Sequence, residues 1–386
     1  MKTYIPLTSL LLTLLVLAAC GSGDSTAPAK TTVSGFTSKG PFINGEVKIY
    51  AVTDGAKDAL LARTTTDASG DYTVDISPYA GPIVVEASGT YKDEATNSIK
   101  IIPVDSPIRA ALPWAQGAVY LPVTALTELA VLKMGSTLSS DTISAANALI
   151  SDLFKVDVIA TSPVAPTTAA LAGVTQAQKD YTLALAAVSQ MASTSAGEND
   201  TAKLNNVLTT LADSITTTGM APNVANDIIT ALTDFVNPAN TANNLTGITN
   251  TTTTNLVNIG TLLKSYKLKL QGSFTPGSVS GIQFDISLPS GVTINADSST
   301  SAAMAGSLYL SSTMSSGALV ASRYSSGSLT VGIITSHGLS ADEFATLTCN
   351  IPIGAAAPAS SAFSVVNARI IDINGATVAG AMVAVE

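Results

Sequence analysis

Residues 281–293 read GIQFDISLPSGVT. Ile282, Phe284, Ile286 and Leu288 alternate strictly with Gln283, Asp285 and Ser287, and Pro289 and Gly291 close the run. A period of two with turn residues at its end predicts a half-buried strand. The same pattern returns at Leu329, Val331 and Ile333, and again at Ala345, Leu347, Cys349 and Ile351. A half-buried sheet must cover its apolar face with a second sheet. Residues 265–386 are therefore read as a jelly-roll-like β-sandwich, a natural size for about eight or nine strands.

Upstream the period changes. Across 105–264 the apolar residues recur at helical spacing: Ile143, Ala146, Leu149, Ile150, Leu153 and Phe154 form one stripe, and Ala177, Tyr181, Ala184, Leu185, Val188 and Met191 form another. Leu204, Val207, Leu208, Leu211 and Ile215 make a third. Thr175 with Gln178 is a capping box, Gly219 sits after one helix, and Pro222 sits where the next begins. Five or six helices packed as a bundle follow from this. Residues 246–255 (TGITNTTTTN) are a tract of small polar groups and read as a connector. Across 33–104 the period is two again, with turns at Asp54-Gly55, Ser69-Gly70-Asp71 and Ala80-Gly81-Pro82, which predicts a small β-sandwich. The fold class is thus multi-domain α+β: a β-sandwich, a helical bundle, then a second β-sandwich.

The first 19 residues carry Lys2 and an apolar run at 10–17, too short to span a bilayer, so they read as a secretion signal. Leu17-Ala18-Ala19-Cys20 resembles the lipobox of bacterial lipoproteins. That resemblance implies cleavage before Cys20, lipidation of its thiol and acylation of the new amine. Several acyl chains give stable anchoring where one would be marginal. Gly21 after the cysteine implies, by that family's sorting tendency, an outer-membrane address, periplasmic or surface-exposed. Residues 20–32 then form a flexible tether.

Composition narrows the chemistry. One histidine (His337) and two cysteines exclude a His-based metal cage, a thiolate zinc site and a disulfide framework within one chain. A formal charge of −9 argues against nucleic acid as a partner. No Gly-x-Ser-x-Gly elbow occurs, and His337 reads as a solvated turn residue. Cys349 is in phase with Leu347 and Ile351, so its thiol is expected in the core and inert. The adjacent pairs Asp93-Glu94 and Asp342-Glu343 cannot flank a glycosidic bond from one strand and read as solvated. Asp67, Asp71, Asp372 and Asn374 sit at turns, but 67–71 lacks the loop length and terminal Glu of an EF-hand. No catalytic residue, no metal and no cofactor is assigned. Tyr309, out of phase with Leu308 and Leu310, and Tyr324, in a turn-like segment, are the candidate ligand contacts; Trp114 reads as a plug at a domain junction.

Three further resemblances add expectations. Residues 45–47, 60–67, 70–72 and 83–87 (GEV, LLARTTTD, GDY, IVVEA) resemble the carboxypeptidase regulatory-like, or transthyretin-like, family, an accessory sandwich whose name implies no peptidase activity. Residues 123–132 (VTALTELAVL) and the helix ending at 153–157 resemble a helical module that follows such sandwiches in secreted bacterial lipoproteins. Residues 281–293, 343–351 (EFATLTCNI) and 363–372 resemble strands of cohesin-like domains, which implies protein or polysaccharide binding; no dockerin-type calcium repeat occurs in the chain. The expected function is non-catalytic binding of a polysaccharide or an extracellular protein at the envelope. An accessory or catalytic part in polysaccharide degradation, and a purely structural role, are the alternatives.

Overall fold

A computed structural model describes residues 30–216, 219–304, 306–311, 317–339, 342–352 and 355–386. Residues 1–29, Cys20 among them, lie outside the described residues; of the tether read at 20–32, Thr31 is buried and Thr32 already belongs to the first strand, so the sandwich begins before 33.

Nine strands come first: β1 (Thr32–Ser38), β2 (Phe42–Thr53), β3 (Ala56–Thr65), β4 (Asp71–Asp75), β5 (Gly81–Lys92), β6 (Ile99–Ile102), β7 (Ile108–Ala115), β8 (Ala118–Tyr120) and β9 (Val123–Thr124). One sheet runs β4-β1-β8, with β9 also on β1; the other runs β3-β2-β5, with β6 and β7 both on the far side of β5. Asp54 and Gly55 both take positive φ and close the β2–β3 hairpin, the turn that an Asp-Gly pair favours. Strand pairing continues past 104 to Thr124, because β8 and β9 return to lie parallel to β1. The sequence hides this: β7 buries Ala110, Ala111 and Ala115, and alanine gives no strand signal.

Six helices follow: α1 (Ala125–Met134), α2 (Ser140–Phe154), α3 (Thr168–Leu171), α4 (Gln176–Thr194), α5 (Asp200–Ser214) and α6 (Pro222–Val236); a small hairpin, β10 (Ile215–Thr216) with β11 (Gly219–Met220), separates the last two. The Thr175–Gln178 capping box forms as the spacing predicts, and Pro222 opens α6. Helix α1 buries residues on nearly every side, including Leu126, Glu128, Leu129 and Val131, since it lies between β7, α2 and α5. One continuous core therefore joins the first sandwich to the helices, from Val33 to Ile259.

Two buried polar clusters stitch this unit. Asp93 and Glu94 are only 1% and 3% exposed, which corrects their reading as solvated. Lys39, 1% exposed, explains the difference: its Nζ donates to Asp93 Oδ2 (3.4 Å) and to Ser189 Oγ of α4, and lies 3.7 Å from Glu94 Oε2. Buried charge survives when it is paired in this way. The second cluster surrounds Asp180, which is fully buried. Gln176 Nε2 (2.9 Å) and Thr254 Oγ1 (2.6 Å) donate to its Oδ1, and Asn255 Nδ2 (3.0 Å) donates to Oδ2. Burial raises the Asp180 carboxyl above its ordinary value, against those donors. The polar tract 246–255 is thus a connector with buried members, Thr246, Thr254 and Asn255.

The chain then builds β12 (Leu262–Gly272), β13 (Val279–Ser287), β14 (Leu308–Leu310), β15 (Ala318–Ser325), β16 (Ser328–Leu339), β17 (Asp342–Ile351), β18 (Ser364–Ile371) and β19 (Ala381–Val385). They form two antiparallel sheets, β14-β17-β12-β19 and β15-β16-β13-β18. Between them lies a second core, with Phe284, Ile286, Leu329, Val331, Leu347 and Cys349. Asn255 ties this sandwich to the helical unit by accepting from Ala296 N (3.0 Å), and Ser298 Oγ donates to Gln176 Oε1 (3.0 Å).

Cys349 is fully buried, and burial pushes its thiol up to about 12. A thiol reagent at pH 8 is expected to leave native protein unlabelled and to label Cys349 at once in denaturant; fast native labelling would place the thiol outside the core.

Candidate functional site

The outward face of the sheet β15-β16-β13-β18 is built in rows, because side chains two apart share a face and register aligns them across strands. The first row places Leu319 opposite Ile334, Ile334 opposite Gly281, and Gly281 opposite Ile371. Leu319 is 76% exposed and Ile334 is 65% exposed, two neighbouring aliphatic side chains held in water. The second row is Ala321, Gly332, Gln283 and Arg369; the third is Arg323, Thr330, Asp285 and Val366; the fourth is Ser325, Ser328, Ser287 and Ser364. The face grades from aliphatic at one end to hydroxyl at the other.

Two features organise its middle. Gly332 has open space where a side chain would stand, so the face dips there, and a glycine inside a strand marks a place of close approach. Asp285 accepts from Thr330 Oγ1 (2.6 Å) and from Asn367 Nδ2 (2.7 Å), and these bonds, that of Asn367 first, hold its carboxyl below the ordinary range. Asn367 sits at a bulge in β18 with a left-handed φ of 55°, a conformation asparagine tolerates.

The sequence-predicted contacts do not meet on this face. Tyr309 is 47% exposed, but on β14 of the opposite sheet. Tyr324 pairs with Leu329 and turns toward the core, and burial raises its phenol. The turn begins two residues later, at Ser326 and Gly327, both with positive φ, so Tyr324 itself belongs to the end of a strand. Trp114 is 57% exposed on β7, with its Nε1 donating to Gln116, and plugs no junction. His337 belongs to β16, beyond the turn position read for it; its side chain is outside the described residues.

The turn carboxylates have a structural use. Asp67 Oδ1 accepts from Ser69 N (2.7 Å) and Asp71 N (3.0 Å), and Asp372 Oδ1 from Asn374 N and Ala376 N (both 2.9 Å). Among the described residues no group of three or more His, Cys, Asp or Glu side chains is placed to hold a metal ion, and no helix is long and apolar enough to cross a membrane.

No family model and no curated protein matches the chain. Among solved structures, a non-cellulosomal cohesin from the hyperthermophilic archaeon Archaeoglobus fulgidus aligns with 31% of this chain and 73% of its own, at 15% identity and a TM-score of 0.23. The sandwich described above rests on its own strand pairing.

Proposed function

We propose that the chain is a non-catalytic binding protein of the cell envelope, held at the outer membrane by lipid on Cys20, whose C-terminal sandwich takes an extracellular protein on the outward face of β15-β16-β13-β18. The observation that carries this reading is the aliphatic row. Leu319 and Ile334 stand exposed side by side on β15 and β16, and Val366 (42% exposed) lies two rows away on β18. Contiguous exposed aliphatics favour contact with another protein surface. A sugar ring is held by aromatic platforms, and the four rows of this face contain none.

One observation favours a polysaccharide instead: Tyr309, exposed on β14. A soluble form of residues 21–386 separates the two. Incubated with a polysaccharide panel and with envelope proteins, it is expected to retain a protein and to release no reducing sugar. Retention of a glycan that Tyr309→Ala abolishes would move the site to the other sheet. Release of reducing ends at enzyme-like rates would revive the role in polysaccharide degradation.

For the anchor, Cys20→Ser is expected to shift the protein from the membrane fraction to the soluble fraction, without lipid label. A Cys20→Ser protein that still carried lipid would contradict the assignment.

A further inference from the structure

The buried cluster under the β1–β2 turn holds the parts of an amide-forming reaction. Lys39 follows β1 and Asp93 follows β5, with Lys39 Nζ 3.4 Å from Asp93 Oδ2. That contact sets the amine against the carboxyl group whose Cγ it would have to reach, and holding two reacting groups side by side removes much of the entropic cost of joining them. The two side chains are each 1% exposed, so water is kept from competing. Tyr91 and Phe42, stacked on one another, form an apolar wall, with Lys39 Nζ 5.9 Å from the Tyr91 ring.

The two oxygens of Asp93 have different surroundings. Oδ1 accepts from Ala95 N (3.2 Å), Thr96 N (3.0 Å) and Thr96 Oγ1 (2.9 Å), three donors placed as an oxyanion site is. Oδ2 faces Lys39 and Lys100, each at 3.4 Å. Glu94 is the base beside the amine. Its Oε2 lies 3.7 Å from Lys39 Nζ and accepts from Ser189 Oγ (2.6 Å), and Ser189 Oγ in turn receives a bond from Lys39. Its Oε1 is fixed by Gly40 N (2.5 Å).

We propose that Lys39 and Asp93 condense within the folded chain to an amide bond, with Glu94 as the proton-transfer group and Ser189 as its relay. Glu94 takes a proton from the Lys39 ammonium, directly or through the Ser189 hydroxyl, and that proton passes to Asp93 Oδ2, so that a neutral amine faces a neutral carboxyl. The freed amine pair attacks Asp93 Cγ, and the charge that develops on Oδ1 meets its three donors. Nζ gives up a second proton, Oδ2 receives both protons and leaves as water, and the C–N bond remains. Ammonium and carboxylate thus become one amide and one water, with no oxidant, reductant or co-reactant. Lys100 offsets the charge on Oδ2 until it departs. The bond would join the β1–β2 turn to the end of β5, stapling a sandwich that holds no disulfide among the described residues.

Intact mass under denaturing conditions tests this on residues 21–386, the soluble form without the signal and the lipidated cysteine. The expected mass is lower than the sequence mass by one water. Tryptic digestion should then lose cleavage after Lys39 and give peptide 31–48 joined to peptide 93–100. Lys39→Arg, which retains the charge, and Glu94→Gln should both restore the unmodified mass. An unmodified wild-type mass overturns the proposal whatever the variants do. So does a water loss confined to one peptide, or a link to Glu94 in place of Asp93.

Discussion

Expressed alone, residues 30–104 will not fold. In the intact chain β1 pairs with β8 and β9, and β5 pairs with β7, and all three partners lie beyond 104. The fragment would expose the pockets filled by Ile108, Leu121 and Val123, which are 0–3% exposed in the whole protein. Each such side chain contributes roughly 1.5–3 kcal/mol on burial. Together they rival the about 5–15 kcal/mol that separates a typical folded domain from its unfolded chain. The fragment also loses Ser189, and with it one partner of buried Lys39 and Glu94. Residues 30–261 keep the whole first core and are expected to unfold in one cooperative step. A dispersed amide spectrum from 30–104 would mean that the first sandwich stands by itself.

Stability should rise with pH between 7 and 9, and Lys155 is the cause. Lys155 follows α2 in the left-handed conformation, is 5% exposed, and donates from Nζ to Thr261 O (2.6 Å) at the start of the C-terminal sandwich. Burial lowers its pKa from 10.5 to about 7, with Asp152 opposing the shift. Below pH 7 the folded and unfolded chains both hold the proton, and the cost of burying it is fully present. Above 7 the folded chain releases the proton while the unfolded chain keeps it, so stability climbs with pH. At about 1.4 kcal/mol per pH unit the gain from 7 to 9 is about 2–3 kcal/mol. Above pH 9 the raised thiol of Cys349 acts with the opposite sign, because the unfolded chain then releases its proton first. Lys155→Met removes the penalty and gives up a hydrogen bond of about 1 kcal/mol. It should be the more stable form at pH 7, by about 3 kcal/mol, with a flat profile to pH 9. Urea denaturation at pH 7, 8 and 9 checks this; parallel profiles for the two proteins would show that Lys155 is not the group responsible.

What the sequence disclosed was local. Alternation at Ile282–Leu288 gives a strand because its period is two, and the box at Thr175 and Gln178 gives a helix start because its two bonds close within three residues. The hairpin at Asp54-Gly55 was legible for the same reason. What stayed hidden was non-local. Lys39 and Ser189 are 150 residues apart, so nothing near Asp93-Glu94 signalled that the pair would be buried. Alanine-rich β7 carried no strand pattern, and a two-residue β9 is too short to show one. The candidate face was half legible: period places Gln283 and Asp285 outward, whereas their alignment with Gly332 and Thr330 is a matter of register. Tyr324 was misplaced because its polar neighbours imitate a turn that begins two residues later.

Gly332→Arg offers the most direct test of the binding reading. A Cβ there meets no atom within 4 Å, so a side chain can leave the backbone at the centre of the face without a clash at its root. Residues 21–386 in wild-type and Gly332→Arg forms should show the same melting temperature to within a few degrees. Binding of the retained envelope protein, measured with that protein purified, should weaken at least thirtyfold in the variant, on the order of the 2 kcal/mol that marks a central contact. Leu319→Asp, at the exposed aliphatic row, should weaken it similarly. Unchanged affinity in both variants, with the fold intact, would contradict the assignment of this face as the partner's site.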